Sequence, residues 1–538
     1  MKLLVLSILV CVSFAGFARP LTTQQKLDDL QELVAMIRGG YGPLEYKKTE
    51  FGIDIDALEK EYAERIQKTQ NNSEFYYNIL KFVAEFKDSH FGARIPTNHR
   101  GRLGFRADYI DGKVLIEKID RSILSEKDFP FEKGDEIISF NGAPVKEELE
   151  KIIPYMGQGS ELTTIRSAAS LISIRPGTLI PVIEGKVNLE IRKGSSDFVE
   201  SAELEWKLSG DPLDEFVPAP VTKSRAFFMG NRNPLMMPVD YGQIALNPSP
   251  IFESSFRCSG DTRVKIPADA TIIMKKPFIA YYHLTEKGNI GYLRLPHYSP
   301  KENSADLNAY DLRFSQYEYA VNLLEKNTVG LIIDQDHNCG GSVDYLHRIV
   351  SLFAQKPFAP MQFELLATKQ NYLGYKKWVS DVYKYTLDYE KYNKVVELVK
   401  ETWLNSTHFL TTKTALSGAG PIEPNSITYT KPIIILIDEL SGSGGDAFPA
   451  MMQGIGRATL LGTRTMGAGG HVQQLPPLAH SQITTSITKS LFFHPNNTAI
   501  ENNGASPDIK YRPTQDDFMY EYRGYQKFYL NELFKKLK

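Results

Sequence analysis

Four apolar segments in the second half of the chain constrain its fold more than any other feature. They read NIGYLRL, VGLIID, KPIIILID and ATLLG, and helical patterns separate them. Strands that are apolar on both faces have to be covered on both faces, which is typical of a parallel sheet with helical crossovers. We therefore predict an αβ core with a mainly parallel sheet over residues 281–538, with ligands bound beyond the carboxyl ends of its strands.

The other residues fall into three further regions, so the predicted fold class is α/β multidomain. Residues 19–100 carry amphipathic helical patterns and are predicted to form an N-terminal helical domain. Residues 101–208 contain short strands bounded by glycines, which indicates a small β-rich module. Residues 209–280 are proline-rich and poorly periodic, which favours a linker or insertion, and residues 365–410 are predicted to be a helical excursion from the core.

The first 18 residues have the pattern of a signal peptide. Lys2 precedes a short apolar stretch, and the small residues Gly16 and Ala18 suit a cleavage site after position 18. The apolar stretch is shorter than the roughly 20 residues of a membrane-spanning helix. We expect an exported protein, periplasmic or secreted, without a stable membrane span.

Charge and cysteine content bear on partners and compartment. The formal net charge of −2 does not indicate a nucleic acid as a partner. Cys258 and Cys339 would remain after removal of the signal, and the sequence is compatible with a disulfide or with two thiols.

Three loops carry the candidate chemistry. LIIDQDHNCGGSVD places Gly340 and Gly341 between a strand and a helix, where backbone N–H groups can face an anion. DELSGSGGDAF places Ser443 at another strand-to-helix turn, from which a hydroxyl can act as a nucleophile. EFKDSHFGAR places His90 at the end of an amphipathic helix. Each loop alone also fits a structural role as a tight turn or a helix cap.

Together the three loops resemble the tricorn and C-terminal-processing serine peptidases. Residues 334–341 match the glycine-rich loop of that family, and SGSGGD matches its nucleophile motif. RATLLGTRTMG over residues 457–467 and ENNGASPD over residues 501–508 match two further motifs in the same order. The resemblance implies a serine endopeptidase that acts on polypeptides, with their C-terminal segments as one class of substrate.

The family contains two catalytic plans, and the sequence favours one of them. The C-terminal-processing branch uses a Ser–Lys dyad, but Ala468 occupies the position of its lysine. The tricorn branch uses a serine, a histidine, a second serine and a glutamate, which match Ser443, His90, Ser89 and Glu501. The resemblance implies that Ser443 attacks, His90 is its base, and Ser89, polarised by Glu501, orients the imidazole.

The oxyanion hole and the choice of base also follow from the resemblance. Backbone N–H groups near Gly341 and Gly444 are predicted to stabilise the tetrahedral intermediate. His471 and His337 are rival bases, and His90 ranks first because it alone matches by motif. No spacing typical of metal ligands is present, so no metal or cofactor is predicted.

The β-rich module resembles a PDZ domain. RGRLGF fits the carboxylate-binding loop, with Arg102, Leu103, Gly104 and Phe105, and KGDEIISFNGAPV fits the central signature. This implies binding of a peptide terminus by backbone N–H groups and strand addition. A structural spacer is the alternative for this module.

Three functions are compared for the whole chain. The first is the active peptidase described above. The second is a catalytically inactive peptide-binding protein on the same fold, and the third is a hydrolase of small esters, which no motif supports. Two departures from the family pattern are Asp336 and Asp446, where the family often has arginine and glutamate. A homo-oligomer is left open.

Overall fold

The structure of the chain is a computed structural model. The residues that the structure describes are 20–196, 198–213, 259–299, 307–386, 389–405, 409–416 and 420–537. The predicted signal peptide, Cys258 and most of the predicted linker lie outside these residues.

The N-terminal domain consists of four helices. They are α1 (Thr23–Gly40), α2 (Leu44–Phe51), α3 (Ile55–Gln67) and α4 (Asn72–Ala84). Thr22 caps α1 because its side chain accepts the N–H of Gln25, and the Gln25 side chain accepts the N–H of Thr22 in return. Their apolar faces form one core that also takes in Leu478, Ile483 and Ile487 from the far end of the chain. The helical domain is therefore fixed to the αβ core of residues 281–538, which is called the catalytic region below because it contains the predicted nucleophile Ser443.

The β-rich module follows as predicted from its glycine-bounded segments. The elements that follow α4 in the chain are β1 (Gly92–Arg94), β2 (Arg100–Arg102), β3 (Phe105–Ile110), β4 (Lys113–Ile119), β5 (Glu136–Phe140), β6 (Ala143–Pro144), α5 (Val145–Ile152), α6 (Glu161–Ser170), β7 (Ile174–Pro176), β8 (Lys186–Arg192), β9 (Val199–Glu205) and β10 (Lys207–Ser209). The main sheet has the order β3-β4-β5-β8-β9, so that β3 is an edge strand. Strand β1 belongs elsewhere, since it pairs antiparallel with residues 484–486.

The catalytic region is built on a seven-stranded sheet. The elements of this region, in chain order, are β11 (Thr271–Met274), β12 (Ala280–Thr285), β13 (Gly288–Arg294), α7 (Leu307–Asn327), β14 (Gly330–Asp334), α8 (Val343–Ser351), β15 (Gln362–Leu365), α9 (Lys369–Tyr383), α10 (Tyr389–Asn405), β16 (Thr414–Ala415), β17 (Ile433–Ile437), α11 (Gly444–Gly454), β18 (Thr459–Gly462), β19 (Val472–Gln474), β20 (Thr484–Thr488), β21 (Ser490–Phe493), β22 (Ile509–Lys510), α12 (Gln515–Met519) and α13 (Arg523–Phe534). The sheet order is β11-β12-β13-β14-β17-β18-β22.

Most of this sheet is parallel. Strands β13, β14, β17, β18 and β22 run parallel to one another, whereas β11 and β12 add an antiparallel edge. Every residue of β14 and β17 is buried, as their unbroken apolar sequences require. The predicted fold class is confirmed, and the neighbouring strands β14 and β17 end at the same edge of the sheet.

One boundary of the predicted organisation differs in the structure. The catalytic sheet begins at Thr271, inside the range predicted to be a linker, because β11 pairs with β12 despite its proline-rich surroundings. The predicted excursion contains the helices α9 and α10, which pack against each other. Among the described residues, no helix has both the length and the apolar character needed to cross a bilayer.

Candidate active site

Ser443 lies at a sharp turn between β17 and α11. Its backbone has φ 59° and ψ −115°, which is an uncommon and costly conformation for a residue other than glycine. Such a turn presents a serine hydroxyl at the top of a parallel sheet, as the sequence pattern predicts. The residue is partly exposed, whereas its neighbours on both sides are buried.

The carboxylate of Asp446 holds this turn in place. It accepts the backbone N–H of Ser443 at 2.7 Å, that of Gly467 at 2.8 Å and that of Ala468 at 3.0 Å. The hydroxyl of Thr465 adds a fourth hydrogen bond. Burial raises the pKa of Asp446 to about 6, although these four donors oppose the rise. The aspartate that departs from the family pattern thus ties the nucleophile turn to residues 465–468.

Ala468 occupies the place of the dyad lysine. Its methyl group is buried with Leu440 and Met466 in the core that the β-rich module shares with the catalytic region. An alanine has no proton acceptor in its side chain, so this position contributes only its backbone N–H. Ala468 is therefore the residue on which the predicted absence of a Ser–Lys dyad rests.

The glycine loop packs directly against Ser443. A Cβ atom on Gly340 would lie 2.7 Å from the Cβ of Ser443, and one on Gly341 would lie 2.4 Å from the carbonyl carbon of Tyr298. Both glycines have positive φ angles, 76° and 147°. A Cβ atom on Gly444 would lie 3.1 Å from the nitrogen of Gly341. The two predicted oxyanion-hole residues are therefore neighbours.

The N–H groups of Gly341 and Gly444 are available to a ligand. Within the described part of the chain, the hydrogen bonds of this loop engage the N–H of Gly340, which donates to Asn338 at 2.7 Å, and that of Ser342, which donates to Tyr298 at 3.0 Å. The N–H groups of Gly341 and Gly444 have no protein acceptor among the residues that the structure describes. Two unoccupied donors beside a serine are the elements of an oxyanion hole.

Asp88 positions His90. One carboxylate oxygen accepts the N–H groups of His90 at 2.7 Å and of Phe91 at 3.2 Å. The other oxygen accepts the hydroxyls of Tyr41 at 2.9 Å and of Thr488 at 2.7 Å. This aspartate turn fixes the DSH motif between the helical domain and β20, and brings His90 to the catalytic region.

His90 and Ser443 line one pocket, although they are far apart in the sequence. Gly341, Gly444 and His471 line the same pocket. The rest of its wall is predominantly apolar and consists of Val343, Leu346, Met361, Phe363, Ala447, Gly470, Val472 and Phe492. The structure thus brings the predicted nucleophile, base and oxyanion donors together.

Glu501 is buried next to a lysine that the motif analysis missed. Its side chain is fully buried, and Oε1 lies 2.5 Å from Nζ of Lys47, whose side chain is also fully buried. Oε2 accepts the N–H of Gly469 at 2.9 Å. Burial and the nearby Asp88 raise the pKa of Glu501 to about 8, and Lys47 opposes that rise. No sequence motif points to Lys47, because it lies on α2 and outside the segments that match the motifs of the family.

Ser89 makes a different contact from the one expected. Its hydroxyl accepts the N–H of Gly159 at 2.8 Å. Among the described contacts, Lys47 and Gly469 each donate to one oxygen of Glu501, and no direct hydrogen bond joins Ser89 to Glu501. The catalytic roles of Ser89 and Glu501 stay predictions.

The two rival histidines differ in their placement. His471 lines the pocket, but its Nδ1 lies 2.7 Å from the hydroxyl of Ser490 and its ring stacks on Phe363. Burial lowers the pKa of His471 to about 3. His337 is buried among charged side chains, pairs with Asp438, and does not line the pocket; burial lowers its pKa to about 4.

Arg166 connects the β-rich module to the nucleophile loop. Its guanidinium binds both carboxylate oxygens of Asp108 at 2.8 Å, within the module. It also contacts Asp438 at 3.3 Å and Glu439 at 3.2 Å, which directly follow β17. All four side chains are largely buried, so a buried cluster of ion pairs connects the β-rich module to the catalytic region.

The predicted carboxylate-binding loop lies between β2 and β3. Leu103 and Phe105 are buried in the core of the module, and Gly104 has a φ of 94°. The N–H of Leu103 donates to the carbonyl of Ser173 at 2.9 Å. Arg102 ends β2 with an exposed side chain. The loop therefore has the expected position next to an edge strand, with one of its N–H groups already used.

Comparisons with known proteins agree with this arrangement. Residues 289–511 match the model of peptidase family S41, and residues 99–216 match the model of a PDZ domain. An uncharacterised protein of Chlamydia muridarum is 26% identical over 559 residues, covering 94% of this chain and 92% of the relative. A carboxy-terminal-processing protease of Bartonella bacilliformis is 33% identical over 99 residues, covering 18% of this chain and 22% of that protein.

A solved structure shows the same fold over almost the whole chain. Mature CPAF complexed with lactacystin superposes with a TM-score of 0.76 at 22% sequence identity, and the match covers 96% of this chain and 99% of that chain. A second structure of mature CPAF superposes with a TM-score of 0.76 at 23% identity, covering 95% of this chain and 96% of that chain. These matches extend over the helical domain, the β-rich module and the catalytic region together.

Proposed function

Because this chain is a serine peptidase of family S41 with a PDZ domain, we propose that it hydrolyses polypeptides with Ser443 as nucleophile and His90 as base. The observation that carries the proposal is the shared pocket of Ser443, His90, Gly341 and Gly444. Ser89 and Glu501 complete the proposed tetrad. The polypeptide substrates follow from the family, whereas the tetrad and the specificity are our inference.

The proposed reaction follows the acyl-enzyme route of serine peptidases. Ser443 Oγ attacks the scissile carbonyl carbon while His90 accepts its proton, and the N–H groups of Gly341 and Gly444 stabilise the oxyanion. Collapse of the tetrahedral intermediate breaks the C–N bond, and His90 gives the proton to the leaving amine. Water, deprotonated by His90, then releases the acyl group as a carboxylic acid and restores Ser443.

The apolar wall of the pocket supports a preference for apolar side chains next to the scissile bond. Leu346, Met361, Phe363 and Phe492 present hydrocarbon surface beside Ser443. Burial of an apolar side chain contributes about 1.5–3 kcal/mol, whereas a charged side chain would lose its hydration without a partner. We therefore infer cleavage beside residues such as leucine or phenylalanine.

The PDZ domain and the compartment complete the proposal. The edge position of β3 supports binding of an extended substrate segment, including a C-terminus, by strand addition.

Export is supported by the signal-like N-terminal sequence and by Cys339, which is disulfide-bonded. Disulfides persist in oxidising compartments such as the periplasm or the extracellular space.

The direct test compares cleavage of an unfolded protein such as casein by the wild type and by Ser443→Ala. Ser506→Ala, which changes an exposed serine of the same region, is the matched control. We expect Ser443→Ala to lose cleavage and Ser506→Ala to retain it. If the wild type cleaves no better than Ser443→Ala, a catalytically inactive peptide-binding protein becomes the better explanation.

A further inference from the structure

Lys47 is a fully buried lysine outside the catalytic motifs. It lies on α2, and its ammonium group has three acceptors: Oε1 of Glu501 at 2.5 Å, Oδ1 of Asn502 at 2.5 Å and the carbonyl oxygen of Lys87 at 3.1 Å. An ammonium has three N–H donors, so these contacts use all of them. A lysine is almost never fully buried unless it is paired.

Two of these acceptors connect separate parts of the proposed tetrad. The carbonyl of Lys87 directly precedes the segment that contains Ser89 and His90, whereas Asn502 directly follows Glu501. The side-chain amide of Asn502 also donates to the carbonyl of Lys87, at 2.8 Å. Lys87 and Asn502 both have positive φ angles, 49° and 58°, so both turns are held in an uncommon conformation. Lys47 joins the two turns.

The charge of Lys47 matters because burial and the nearby Asp88 both oppose the ionisation of Glu501. Asp88 is a second buried carboxylate nearby, and the phenols of Tyr41 and Tyr46 provide no positive charge. The N–H of Gly469 is the one other donor that reaches the carboxylate within the described contacts. Lys47 is the cation that contacts the Glu501 carboxylate among the described residues, so its removal would leave this buried carboxylate without a cationic partner there.

We propose that Lys47 is a positioning residue for peptide hydrolysis: it lets Glu501 carry its negative charge inside the protein and holds the Glu501 turn against the turn of Ser89 and His90. This inference rests on the proposed tetrad. Lys47 acts through Glu501 and touches no reacting atom.

The test is the pH profile of kcat/KM for Lys47→Met, with Lys48→Met as the matched control, since Lys48 is the exposed neighbour on the same helix. An opposite charge at hydrogen-bond distance typically shifts a carboxyl pKa by roughly 1–3 units. We expect the rising limb of the Lys47→Met profile to move to higher pH by about that amount, with partial recovery of activity in alkaline buffer. Lys48→Met should follow the wild type.

A merely structural role predicts a different result. It would lower kcat/KM by the same factor at every pH, and superimposable profiles for Lys47→Met and the wild type would overturn the proposal. If Lys47→Met does not fold, the double variant Lys47→Met with Glu501→Gln removes both charges. We expect that double variant to fold and to match Glu501→Gln in kcat/KM, whereas a further loss of tenfold or more would contradict the proposal.

The experiments distinguish a failure of the proposed role of Lys47 from a failure of the proposed function. Ser443→Ala without activity and Lys47→Met with an unchanged profile would overturn only the role of Lys47. A Ser443→Ala protein that cleaves as well as the wild type would overturn the tetrad itself, and the role of Lys47 with it.

Discussion

The carboxylate of Asp446 accepts the backbone N–H of Ser443 at 2.7 Å and thereby fixes the proposed nucleophile at the entrance of its own helix. The same carboxylate binds Gly467 and Ala468, so one side chain joins the two loops that flank the pocket. The uncommon backbone conformation of Ser443 depends on this support.

Asp446→Asn should therefore reduce kcat more than it affects substrate binding. The amide has one acceptor oxygen and would place N–H donors against backbone N–H donors, which leaves buried groups unsatisfied at a cost of about 1–3 kcal/mol each. We expect a loss of activity of at least about tenfold from that cost. Steady-state kinetics with Asp516→Asn, an exposed aspartate of α12, as control will measure it. Unchanged kcat would show that the turn does not need Asp446.

Gly340→Ala should abolish activity. The added methyl group would lie 2.7 Å from the Cβ of Ser443, and the φ of 76° at this position is unfavourable for alanine. The control is Gly374→Ala in α9, where a Cβ meets nothing within 4 Å. Because alanine is a better helix former than glycine by about 1 kcal/mol, the control should be fully active and no less stable. Thermal unfolding and casein cleavage measure both effects.

Val343→Phe should narrow the apolar pocket. Val343 begins α8 and lines the pocket beside Gly341, so a larger side chain would fill the space proposed for the substrate. We expect kcat/KM for peptides with leucine or phenylalanine at the cleavage position to fall by at least tenfold relative to peptides with alanine. Val329→Phe, at an exposed position away from the pocket, should leave this ratio unchanged. An equal loss for all peptides would contradict the proposed specificity.

Arg166→Met should destabilise the protein and lower its activity together. It leaves the buried carboxylates of Asp108, Asp438 and Glu439 without their cation, and removal of one partner of a buried ion pair costs about 3–5 kcal/mol. Arg192→Met removes a partly exposed pair with Glu136 in the same module, where the expected cost is about 0–1 kcal/mol. Urea denaturation of both variants separates these outcomes. Equal free energies of unfolding for the two variants would mean that the ion pairs of Arg166 do not stabilise the protein.

The stability of the protein should respond to the ionisation of Glu501. Its pKa in the folded protein is raised to about 8, above the value of about 4.3 for an unfolded chain. The unfolded chain therefore releases its proton first, and the contribution of Glu501 to folding falls as the pH rises from about 4.3 to about 8. Glu501→Gln should remove this part of the pH dependence. Unfolding free energies measured between pH 5 and pH 8 will show it, and identical slopes for wild type and variant would contradict the shift. Glu45→Gln, on the exposed face of α2, is the control.

The sequence by itself determined the buried strands and the tight turns, because both depend on residues that are close together in the chain. Strands β14 and β17 are apolar at every position because both faces are covered, and that signal needs no partner to be recognised. The turns at Gly340 and Ser443 are readable for the same reason, since glycines mark backbone conformations that other residues rarely adopt. Strand β11 was missed because it is short and follows a proline-rich stretch.

Only the tertiary structure decided which side chains from distant segments contact each other. Lys47 and Glu501 are 454 residues apart in the chain, and no periodicity links them. Among the described contacts, the hydroxyl of Ser89 accepts the N–H of Gly159, whereas Lys47 and Gly469 donate to Glu501, and no motif predicts these partners. Motifs identify which side chains can do chemistry, whereas burial and the choice of partner fix their charge and orientation, and both arise only when distant segments pack together.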